Sequence, residues 1–241
     1  MTPPPADLLA TYLRLREHQR ALNRELTKTL SRKAIEESAR RLGFFKGGRL
    51  CAPNESDLDL VMDTALYDYF PCNGKNAVER FAPRDLPEEA RSVLAAMRSA
   101  RFTLVQIGAS VEGLGVQAED LLVGVSFLLA NVALSGTATP GMVLATRLLV
   151  FESLAMTSGV FVVVDEELAS VIAKPLAERG ATLTPRGSSH LAHFFLQAGM
   201  LDPEAARATL AKKHAAQLSP HDPRRGAYER SRAGRAPRTV R

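Results

Sequence analysis

The sequence predicts an α+β protein. A helical N-terminal region covers residues 1–100, a small five-stranded β domain 101–165, a helical C-terminal region 166–218 and a disordered basic tail 219–241. Three observations lead there. Apolar residues recur every three or four positions through the first hundred residues, the spacing of one helix face. From Arg101 the chain changes to short runs of β-branched and apolar residues, punctuated by Gly113, Gly124, the Pro140-Gly141 pair and Ser153. The end of the chain is polar, poor in leucine and rich in arginine, proline and glycine, and so has too little to bury to fold by itself.

The first helix runs from Asp7 to about Leu30, with Leu8, Tyr12, Leu15, Leu22 and Leu26 as its apolar stripe. Arg16, Arg20, Arg24 and Lys28 recur at four-residue spacing and drift by only about 40° per step, so they share a basic face. Glu17 and Glu25, each three residues before Arg20 and Lys28, offset part of that charge. RKAIEESARRLG gives a second helix, Arg32 to Leu42, closed by Gly43. A third covers NESDLDLVMDTALYDYF, residues 54–70. Its expected N-cap is Ser56 with Asp59 as capping-box partner, and its expected buried face is Leu58, Val61, Met62, Ala65 and Tyr69. A short helix in NAVERF and a longer one in PEEARSVLAAMRSAR, opening at Pro87, complete the region.

FTLVQI, LGVQAEDLL, VSFLLANV, MVLATRLLVF and LAMTSGVFVVV read as five strands. Their tight spacing suggests a meander closed or half closed into a barrel of SH3-like or OB-like size. No charge occurs from Leu121 to Thr146, which raises the question of a membrane span. Its apolar part, LLVGVSFLLANVAL, is shorter than the roughly 20 residues a spanning helix needs and is followed by SGTATPG, so none is expected. Beyond Asp165, EELASVIAKPLAERG, SSHLAHFFLQAG and DPEAARATLAKKHAAQL return to helix, the last with Asp202 as N-cap and Pro203 at its first position.

Composition bounds the function. With 241 residues and 46% apolar content there is enough for one large or two modest domains. The absence of tryptophan and an aromatic content of 6% argue against broad platforms on which bases stack. Cys51 and Cys72 lack CxxC spacing, so neither a metal site nor any other cofactor is expected and the pair is expected to be reduced. The N-terminus has no secretory pattern, and a cytoplasmic protein is the expectation. Net charge is +5, and the tail from Gln217 carries seven arginines against Asp222 and Glu229, so it holds the whole excess. Two candidate polyanion contacts follow: the Arg16, Arg20, Arg24, Lys28 stripe, and Arg224, Arg225, Arg230, Arg232, Arg235, Arg238 and Arg241 of the tail. Either can bind phosphates by counterion release without reading sequence. The expected function is a non-enzymatic binding or adaptor protein whose partner is nucleic acid or an acidic protein.

KGGRLCAPNESDLDLVM, residues 46–62, resembles the nucleotidyltransferase signature through Gly47, Gly48, Asp57 and Asp59. The resemblance implies a metal-dependent enzyme in which two carboxylates hold divalent ions on a nucleoside triphosphate. A third carboxylate would come from a later strand, where Asp165 is the candidate. The glycine-to-aspartate gap is short for that family, and the helical periodicity after Asp59 would make the two carboxylates diverge. YLRLREHQRALNREL, GKNAVERF and TATPGMVLATRLL are similar to segments of bacterial proteins with no assigned activity, over most of residues 8–165. That likeness implies a bacterial origin and supplies no catalytic residues.

Overall fold

A computed structural model describes residues 6–52, 54–71, 74–178 and 188–189. The chain divides into two units, Met1–Gly199 and Met200–Arg241, and every described residue belongs to the first. Cys72, the helix expected from Asp202 and the seven tail arginines lie outside the described residues. Cys51 is exposed and free.

Five helices come first: α1 (Ala6–Lys28), α2 (Arg32–Arg41), α3 (Glu55–Tyr67), α4 (Ala77–Arg80) and α5 (Glu88–Ser99). Their ends follow from local chemistry. The Ser31 side chain accepts from the Ala34 N–H at 3.2 Å and opens α2. Gly43, at φ +80°, closes it: Phe44 N donates to Ala39 O at 2.8 Å and Gly43 N to Arg40 O at 3.1 Å, the paired bonds of a Schellman motif. Asn76 and Glu79 form a reciprocal capping box on α4. Tyr12, Leu15, Leu22 and Leu26 of α1 are buried, in one cluster with Leu66 and Tyr67 of α3 and Val93, Leu94 and Met97 of α5. The helices are interrupted once, by a hairpin of β1 (Phe45–Lys46) and β2 (Arg49–Leu50). Its two-residue turn is Gly47-Gly48 with φ of 57° and 76°, a turn that requires positive φ at both positions.

Helix α3 departs from expectation at both its start and its face. Its N-cap is Asn54, which accepts from Asp57 N at 2.9 Å, and Ser56 lies inside the first turn. Asn caps as well as Ser, and here the chain enters the helix two residues earlier. Leu58 is exposed, while Asp63, Leu66 and Tyr67 are buried. The face is turned because α3 presents carboxylates to the neighbouring sheet.

That sheet contains β3 (Arg101–Val111), β4 (Gly115–Asp120), β5 (Val125–Ala130), β6 (Val143–Val150) and β7 (Ala155–Val164). Strands β3, β4 and β5 follow one another antiparallel, and a simple meander would then place β6 beside β5. Instead residues 131–142, with helix α6 (Val132–Thr137) capped by Asn131, carry the chain across, and β6 pairs with β3. Strand β7 returns antiparallel to β6 and meets β5 in a parallel pair at Leu129 and Ala155. Val105, Ile107, Val116, Ala118, Leu129, Leu144 and Leu148 form one buried cluster of the sheet, and Leu134 of α6 packs against them. Gly115 lies so close to β5 that an added Cβ would sit 2.0 Å from Leu129 O, which excludes any side chain there. The uncharged stretch is thus spent on strands and one short helix. Among the described residues no helix is long and apolar enough to cross a membrane. Helix α7 (Glu166–Glu178) follows, and the backbone N–H of Phe102 donates to Ser188 Oγ at 3.0 Å.

Candidate functional site

The site begins with an irregularity in β7. Between the pairs Thr146↔Phe161 and Leu148↔Thr157 the register shifts, so that Ser158, Gly159 and Val160 bulge from the ladder. Gly159 takes φ +117°, a conformation that other residues rarely adopt. The bulge frees carbonyls, and α1 captures them: Arg16 Nη1 donates to Thr157 O at 2.9 Å and Gln19 Nε2 to Ser158 O at 2.9 Å. Arg16 Nη1 also donates to Gln19 Oε1 at 2.6 Å, fixing the two side chains against each other. Burial lowers the Arg16 pKa from its ordinary value.

Opposite the bulge, β6 sends Arg147 inward. Its side chain is 1% exposed, with Nε 3.2 Å from Asp63 Oδ2 and Nη2 2.7 Å from Asp68 Oδ2. The guanidinium also lies 4.4 Å from the centre of the Tyr67 ring. Burial alone would lower the Arg147 pKa, yet Asp68 and Asp63 together raise it above its ordinary value. For Asp68, burial wins over the attraction of Arg147, and its carboxyl is pushed up to about 6. This is a structural clamp tying α3 to β6.

Between α1, α3 and β7 lies a cleft of about 370 Å³. Arg16 and Arg20 line it on the α1 side, Asp59 and Asp63 on the α3 side, and Ser158, Gly159 and Val160 at the bulge. Burial raises the Asp59 carboxyl above its ordinary range, and Glu55 and Asp63 add to the effect. Asn23 Oδ1, Tyr67 OH and Ser158 Oγ are buried polar atoms without a hydrogen-bond partner among the described residues, and all three residues line the cleft. A second, more open groove on the other flank of α1 is lined by Tyr12, Leu13, Arg16, Arg20, Arg24 and Asn131, among others.

The basic stripe of α1 is therefore divided. Arg16 is half-buried and bonded, and Lys28 is paired with Glu25 at 2.6 Å. Arg20 and Arg24 are exposed, and among the described residues neither side chain takes part in an ion pair. The expected pairing of Glu17 with Arg20 is likewise not among them.

Asp57 and Asp59 lie in the first two turns of α3, and the Asp57 N–H serves the Asn54 cap. Asp165 caps α7, its Oδ1 accepting from Leu168 N at 3.1 Å. Gly47 and Gly48 are the hairpin turn. Among the described residues no group of three or more His, Cys, Asp or Glu could hold a metal ion. Gly47, Gly48, Asp57 and Asp165 of the nucleotidyltransferase resemblance thus serve a turn or a helix cap, whereas Asp59 lines the cleft between α1, α3 and β7.

Gln19, Asn23, Asp63, Tyr67, Arg147 and Ser158 were not singled out by sequence reasoning, although two of them carry a signal. Gln19 is the polar interruption of the apolar stripe between Leu15 and Leu22, and Arg147 is the only charge between Asp120 and Glu152. The β7 bulge has no comparable mark beyond Gly159.

Residues 6–191 match a family described as "Family of unknown function (DUF7986)". No curated protein and no solved structure matches the chain.

Proposed function

The chain belongs to that family of unknown function, and from its charge and geometry we propose that it is a binding protein that contacts single-stranded nucleic acid along the exposed basic face of α1. The observation that carries this reading is the pair Arg20 and Arg24, exposed, without ion pairs among the described residues, and set on a groove that runs along α1. Unpaired arginines at four-residue spacing suit successive phosphates, which such side chains bind as charged forks. The seven tail arginines add a second, sequence-independent contribution by composition.

The fold supports the same class. We read the five strands as a small barrel of OB type: the last two strands exchange places, the third and fifth are parallel, and a helix joins the third to the fourth. OB folds commonly bind single strands, with aromatic residues on the second and third strands. Here the exposed positions of β4 are Gln117 and Glu119, and the two arginines of the sheet, Arg101 and Arg147, are bonded to Asp120, Asp63 and Asp68. The sheet's arginines are thus spent on carboxylates, so contact is assigned to Arg20 and Arg24 of α1 and to the tail and not to the sheet.

The test is fluorescence anisotropy of a labelled oligonucleotide over a salt series. Single strands give a slope of about −0.7 per neutralised phosphate, so Arg20→Ala with Arg24→Ala should make the slope shallower by about 1.4. Oligonucleotides of unrelated sequence should weaken alike, because phosphate contacts carry no base information. Binding unchanged in this variant but lost on truncation after Leu218 would move the contact to the tail; no binding by the full chain would refute the proposal.

A further inference from the structure

The cleft between α1, α3 and β7 holds hydrogen-bonding groups that phosphate contact along α1 does not use. We propose that it is a binding site for a small anionic polyol of the sugar-phosphate class, with the anion at Arg20 beside Arg16 and the hydroxyls at Asn23, Tyr67, Ser158 and Asp59. Tyr67 and Ser158 are 3% and 8% exposed, and buried polar atoms of this kind are rarely left without partners. Two hydroxyls and an amide oxygen ask for a ligand that both donates and accepts, as sugar hydroxyls do.

Charge sets the orientation. Cations stand on the α1 wall and carboxylates on the α3 wall, so a bare anion would use only one side and a bare cation only the other. Asp63 spends Oδ2 on Arg147, whereas Asp59 is raised by burial and by its acidic neighbours and gains from a hydroxyl donor. Size and lining narrow the class further. About 370 Å³ is at the small end of ligand sites, and the only aromatic ring lining the cleft among the described residues, Tyr67, has the Arg147 guanidinium 4.4 Å from its centre. A stacked base therefore has no platform, and a phosphorylated pentose is the better fit.

This site shares Arg20 with the nucleic-acid reading but not Arg24, which lines the outer groove and not this cleft, so Arg24 separates the two. Calorimetry on the full chain with ribose 5-phosphate, ribose, inorganic phosphate and gluconate tests it. Ribose 5-phosphate should bind at least about tenfold more tightly than ribose or phosphate alone. Tyr67→Phe and Ser158→Ala should each weaken it by about tenfold, the loss of one hydrogen bond in a dry site, with melting temperature checked in parallel. Arg24→Ala should leave it unchanged. Gluconate binding more tightly than ribose 5-phosphate would overturn the assignment to the sugar-phosphate class. Phosphate binding as well as ribose 5-phosphate, no binding of either polyol, or affinity indifferent to both hydroxyl variants in folded protein would overturn the proposal.

Discussion

Arg147 and the pair Arg20 and Arg24 are the same side chain put to opposite uses. Arg147 is closed inside between two carboxylates and an aromatic ring, so its charge is spent on holding α3 to β6. Arg20 and Arg24 stand on α1 in water with no partner among the described residues. Net charge does not separate these cases, since each arginine counts as one. What separates them is whether the fold supplies opposite charge within reach, and only the unspent arginines are available to a ligand.

The comparison breaks most sharply at Arg147. Arg147→Met leaves Asp63 and Asp68 buried without their cation, and removing one side of such a pair costs about 3–5 kcal/mol. Urea denaturation should show that loss or an unfolded chain. Adding Asp63→Asn and Asp68→Asn should recover part of it, because the uncompensated charge is gone. A single variant as stable as the parent would mean that the clamp contributes nothing.

Asp68 gives the next effect, and its sign is opposite to that of an ordinary salt-bridged aspartate. Its pKa is about 6 in the folded chain against about 3.9 when unfolded. Between those values the folded state keeps a proton that the unfolded state has released. The contribution of Asp68 is therefore most favourable below about pH 4 and declines as pH rises to about 6, at up to about 1.4 kcal/mol per pH unit. It is level above that. Other carboxylates titrate in the same window, so the measurement is the difference in stability between parent and Asp68→Asn across pH 4–7. A flat difference would show burial and attraction to Arg147 in balance, and one that slopes the other way would show that attraction outweighs burial.

Much of the fold is legible in the sequence because it depends on period and punctuation. The apolar stripe of α1, the Gly43 closure of α2 and the five strands all follow from local spacing, and each is local in the structure. The neighbour order of the strands is not local. Nothing in MVLATRLLVF says that β6 will pair with β3 across the sheet, since residues 131–142 decide it. The candidate site is less legible for the same reason. Arg16, Arg20 and Arg24 announce a basic face, but only the β7 bulge separates the bonded Arg16 from the open Arg20. Gln19 and Arg147 look like interruptions of apolar patterns, and their partners lie more than seventy residues away.

The smallest effects sharpen the comparison within α1 itself. Arg16, Arg20 and Arg24 occupy one stripe, so sequence position assigns them equal worth. Their surroundings do not: Arg16 donates to Thr157 O and Gln19 Oε1 across the bulge, while Arg20 and Arg24 are exposed. Arg16→Ala should cost about 1–3 kcal/mol, because the Thr157 carbonyl and the buried Gln19 side chain each lose a donor. Arg20→Ala with Arg24→Ala should stay within about 0.5 kcal/mol of the parent, as exposed substitutions without partners do. Chemical denaturation of both variants at one salt concentration makes the measurement, and repeating it at high salt adds a control. The Arg16 deficit should persist, since its bonds are short and partly buried, whereas any small change in the double variant should fade with screening. Equal costs for the two variants would mean that the bulge does not hold Arg16, and the boundary between spent and available charge on α1 would have to be redrawn.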